Sequence, residues 1–167
     1  MSLSVHDVTV PVYLRLLAGL SAILTKAAAY AAEKKVEPAV LLTARLYPDM
    51  WSLAHQVNAV CNHAVRGTAR LAGVTPPSFD GKDASFEDLQ ARVAWAIAHL
   101  KGIDQAALNA GAERTIAFPA GGAEKKMSGK DYLLDFSMPN LYFHLATAYD
   151  ILRHNGLPLS KDDFLGA

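Results

Sequence analysis

Apolar residues recur at helical spacing in four long stretches of the chain. In residues 5–34 the repeat runs through Leu14, Leu17, Leu20, Leu24, Ala27, Ala28 and Ala31. In residues 49–72 it runs through Met50, Leu53, Val57, Val60, Cys61 and Ala64, and in residues 86–101 through Leu89, Val93, Ala96, Ile97 and Leu100. Spacings of three and four place each set on one face of a helix. Punctuation agrees with the pattern. Pro38 disfavours helical geometry at Glu37, Gly73 suits the end of the second helix, and Ser85 with Asp88 makes a capping box before the third.

The fourth stretch, residues 130–155, reads KDYLLDFSMPNLYFHLATAYDILRHN. Ser128 followed by Asp131 opens it, and Gly156 with Pro158 closes it. Leu134, Leu141, Leu145, Ala148 and Leu152 share the predicted core face. Pro139 lacks a backbone donor and crowds the carbonyl four residues back, so a kink or break is expected over 135–139. Asn140, His144, Thr147 and Ile151 form a second stripe at the edge of that face.

Between these helices, residues 39–46 and 104–108 read as short helical turns. Residues 114–118 alternate polar and apolar, 119–122 read as a turn, and 124–127 return, which predicts a small β-hairpin lying across the helices. The expectation is therefore an all-α fold: a single domain over 1–167, a four-helix bundle with a small hairpin before the last helix. The connection after the first helix is long enough for a crossover.

Composition narrows the functions. Sixteen basic residues balance sixteen acidic ones, so net charge gives no case for nucleic acid or an anionic membrane. A single cysteine, Cys61, excludes an internal disulfide and a cysteine-based zinc finger, and its place on an apolar face predicts a buried thiol. Asp7 and Pro11 interrupt the start of any signal peptide, and no apolar run is read as spanning a bilayer, so a cytoplasmic protein is expected.

His144 is the residue best placed for chemistry, because Asn140 lies one helical turn before it. His154 in the last turn suits the helix C-terminus. His55 and His63 are expected to point away from the interior that His144 faces. Trp51, Tyr13, Tyr142, Phe143 and Tyr149 are either core or the lining of a ligand pocket, with Asp49 and Asp135 as polar neighbours. No nucleophile with its base is evident.

The segments SLSVHDVTVPVYLRLLAGLSAILTKA, ARLYPDMWSLAHQVNAV, GTARLAGV, DYLLDFSMPNLYFHLATAYDILRHNGLPL and KDDFLG carry a resemblance. Over essentially the whole chain they resemble an uncharacterised bacterial family within the DinB/YfiT-like superfamily of candidate metalloenzymes. The resemblance implies a DinB-like four-helix bundle, frequently dimeric, in which many relatives hold a divalent metal with three histidines. One comes from the second helix and two from a four-spaced pair on the last. His144 matches the second member of that pair, Asn140 stands where the first would be, and Ala59 occupies the second-helix position. His55 lies one turn earlier and His63 one turn later. Asn is a poor ligand for zinc or nickel. The expectation is a degraded metal site and a small-ligand-binding or interaction protein, with Asn140, His144, Trp51 and Tyr149 at the ligand. No cofactor is assigned. The alternative is a divalent-metal-dependent hydrolase, or a thiol-dependent transferase or isomerase, holding zinc or nickel through His144 and His55. A homodimer is expected, with the alanines of 27–32 as a candidate interface.

Overall fold

The structure is a computed structural model that describes residues 3–166; the chain ends at 1–2 and 167 lie outside the described residues. Four long helices dominate: α1 (Val5–Lys34), α3 (Leu53–Ala72), α4 (Phe86–Gly102) and α7 (Met138–His154). Shorter helices are α2 (Pro38–Thr43), α5 (Gln105–Asn109), α6 (Gly129–Asp131) and α8 (Lys161–Leu165). A two-stranded antiparallel hairpin, β1 (Thr115–Ala120) and β2 (Ala123–Ser128), precedes α6, with Thr115 paired to Ser128 and Ala120 to Ala123. Strand β1 turns Ile116 and Phe118 into the core, so the hairpin is anchored on the helices.

Capping follows the sequence closely. Ser4 and Asp7 form a complete capping box on α1, and Ser85 accepts from the Asp88 amide on α4. Helix α3 differs. It begins at Leu53 rather than Asp49, because Asp49 and Met50 sit in an irregular segment whose end is held by a bond from the Leu53 amide to the Ala44 carbonyl.

Helix α3 packs most extensively against α7 and next against α4, while α1 packs on α4 and α8. Consecutive long helices α1 and α3 touch little, so the chain crosses the bundle between them. Small side chains at Ala54, Ala59, Ala64, Gly67 and Ala69 let α3 be covered on nearly every side, and all five are buried. By length and composition α1 does reach what a membrane span requires, contrary to the sequence expectation; half of its most apolar stretch is buried within the chain.

Before α7 the backbone widens into a π-helical turn, Tyr132–Ser137. The break falls just ahead of Pro139, which occupies the first turn of α7, where its missing donor is not needed. A wider turn advances less angle per residue, so the face rotates across it. Leu133 becomes buried, and Leu134, expected in the core, is 48% exposed.

Candidate functional site

Helices α3 and α7 bring together the side chains that matter. His144, on α7, is 8% exposed. Its Nδ1 lies 2.7 Å from Oε1 of Gln56 on α3. Gln56 is itself oriented: its Nε2 donates to the Trp51 carbonyl at 3.1 Å, which turns Oε1 toward the imidazole. An amide oxygen only accepts, so the proton of His144 resides on Nδ1. Burial lowers the His144 pKa, so the ring is neutral at physiological pH and Nε2 keeps its lone pair.

Aromatic faces clamp that ring. Trp51 stacks on one side at 5.4 Å between centroids and 9° between planes. His63 also stacks, at 5.5 Å and 19°, and is met edgewise by Phe136 at 6.0 Å. Phe136 projects from the π turn against Phe118 of β1, so the hairpin supports the column from below. Burial pushes the His63 imidazole down to about 4, with His144, Arg66 and Arg70 adding to the effect.

A cleft of about 260 Å³ opens over Trp51 and His144, bounded by Asp49, Met50, Gln56 and Phe143. Trp51 is 54% exposed and Phe143 55%, so the rim is apolar and reachable from solvent.

The other expected site residues lie elsewhere. The Asn140 amide donates to the Phe136 carbonyl at 2.6 Å and braces the π turn. The Tyr149 hydroxyl reaches toward the Leu159 carbonyl at 3.4 Å and its ring meets Phe164, so it holds the C-terminal segment. His55 is exposed, its Nδ1 3.0 Å from the Ser52 hydroxyl, and it lines a different hollow with Leu42, Thr43 and Asp83. His63, expected to face away, is the histidine that α3 lays against His144. Gln56 carries no signal of its own in the sequence, and His63 is expected on the side of α3 away from its apolar stripe; both meet His144 because α7 packs over them.

A three-nitrogen metal site does not fit these residues. Ala59 offers no donor, and the Asn140 amide is engaged with backbone. Among the described residues no three His, Cys, Asp or Glu side chains converge on a common point. Cys61 is fully buried and its thiol is pushed up to about 12 by desolvation, far from a thiolate.

The model of a domain of unknown function, DUF1993, matches residues 5–165. The chain belongs to the DUF1993 family. The crystal structure at 1.83 Å of a DinB family member protein from Shewanella denitrificans is similar to it throughout, at 39% sequence identity with a TM-score of 0.89. That similarity covers 97% of this chain and 92% of the other. No curated protein matches. The DUF1993 assignment and the DinB likeness agree with the family resemblance of the sequence, and the bundle with its hairpin is the expected fold.

Proposed function

We propose that this DUF1993 chain binds a small planar ligand without a metal, in the cleft over Trp51 and His144. One observation carries the reading: Gln56 fixes His144 as a neutral acceptor beneath a half-exposed indole. A flat heteroaromatic ring that stacks on Trp51 and donates an N–H to Nε2 answers both features. In this reading the chain acts in the cytoplasm and as a homodimer, and its mass in solution tests the second point. Of the alanines of 27–32, Ala27 and Ala31 are buried within the chain, Ala28 is half-buried, and Ala29 and Ala32 are exposed and free to meet a second copy.

Benzimidazole, a flat ring with an N–H donor, is the probe. Saturable quenching of tryptophan fluorescence is expected, and Gln56→Leu, which releases the tautomer, weakens binding by about tenfold. Elemental mass spectrometry of tag-free protein, purified without a metal column, accompanies it, with His144→Ala alongside. Near-stoichiometric zinc, nickel or iron that disappears in the variant would overturn the reading in favour of a metal-dependent enzyme.

A further inference from the structure

The stacked column has a second end. Beyond His63, a hollow of about 100 Å³ is lined by Asn62, His63, Arg66, Arg70, Pro119 and Phe136. Arg66 and Arg70 are four residues apart on α3 and therefore neighbours on its surface. Among the described residues neither has a carboxylate oxygen within 4.0 Å. Arg92 on α4 shows the contrast: Asp83 accepts from its Nε at 2.5 Å and from its Nη2 at 2.8 Å. Two uncompensated guanidinium groups side by side repel each other, and in a chain with no net charge nothing general requires them there.

Arg70 is also held in place. Arg70 donates from Nη1 to the Tyr132 hydroxyl at 3.0 Å and lies over the Phe118 ring at 5.9 Å, which leaves its other donors open. Arg66 is exposed and has no protein acceptor among the described residues. Asn62 is fixed by donating to Asn58 at 2.6 Å, and Asn58 in turn donates to Asp83. Phe136 and Pro119 wall the hollow with apolar surface, which strengthens any charge-assisted bond formed inside it. Its volume falls well below the ~300 Å³ at which pockets begin to enclose a whole ligand, so it suits one functional group.

We infer that Arg66 and Arg70 form an oxyanion subsite that takes a carboxylate or phosphate group. The inference stands on the arginine pair and is independent of the cleft over Trp51 and His144. Guanidinium forks match the paired oxygens of either group.

Inorganic phosphate, which has no ring, tests this end by itself. It is titrated into the full chain at constant ionic strength set with chloride, reading the arginine Nε–H signals by NMR. The expected result is saturable movement of the Arg66 and Arg70 signals, with an apparent Kd of roughly 1 mM. Arg66→Gln, at an exposed position, weakens this at least tenfold, and Arg66→Lys, which keeps the charge but not the fork, falls between. Acetate in place of phosphate shows which oxyanion is preferred. No saturable movement, or an Arg66→Gln protein that binds as the parent does, would overturn the subsite. Phosphate binding without any benzimidazole response supports the subsite and removes the cleft reading; the reverse result removes the subsite alone.

Discussion

Gln56 decides which nitrogen of His144 carries the proton, and it does so from one turn into α3. His63 has the larger effect on how the protein responds to acid. Its imidazole titrates near 6.5 in an unfolded chain and at about 4 here. Above pH 6.5 both states are neutral and stability is unaffected. Between 6.5 and 4 the unfolded chain takes up a proton that the folded one refuses, so stability falls as pH falls through that window. The loss reaches about 3 kcal/mol by pH 4, and His144 and His99, also lowered by burial, act in the same direction. Urea unfolding across this range should show the decline, and His63→Phe, which keeps the stack but cannot titrate, should flatten most of it. A parent protein with constant stability from pH 7 to 4 would contradict the buried stack. His144 was legible from its stripe on the last helix. His63 was not, because periodicity ranks the faces of a helix by polarity and does not say how many neighbours surround it.

At the level of elements, the π turn sets the phase of everything after the hairpin. Pro139 announced a break, and the break is there. What the sequence did not show was the rotation, so Leu134 was assigned to the core and Leu133 was not. The turn is pinned from its N-terminal side by two glycines. A Cβ on Gly129 would lie 1.8 Å from the Gly111 carbonyl oxygen, and one on Gly111 would lie 2.4 Å from that of Leu71. Both obstacles are backbone, which cannot rotate away. The Gly129 amide also donates to the Arg114 carbonyl at 2.7 Å, and Arg114 reaches the Leu71 and Ala107 carbonyls through Nη1. Gly129→Ala should therefore cost about 3 kcal/mol, the upper end of what overpacking usually costs, despite alanine's better helix propensity. Thermal unfolding measures it; a variant as stable as the parent would mean that α6 does not seat where described. Nothing in the spacing of these glycines distinguishes them from turn residues, since their role is set by a contact between segments remote in sequence.

For the whole molecule, four periodic stretches and their caps were enough to give the architecture, because each apolar stripe had only another stripe to bury against. The order in which the helices meet was not encoded so locally; it depends on the crossover that lays α3 between α4 and α7. That central position has a kinetic consequence through Cys61. The thiol is enclosed by the bundle and, at about 12, is almost wholly protonated at neutral pH. An alkylating reagent can reach it only when α3 parts from its neighbours, so labelling by iodoacetamide in native buffer should follow the global unfolding free energy rather than any local fraying. Mass spectrometry over a urea series would check this, and rapid labelling without denaturant would exclude it. The chain's single sulfhydryl thus keeps time for the opening of its own core.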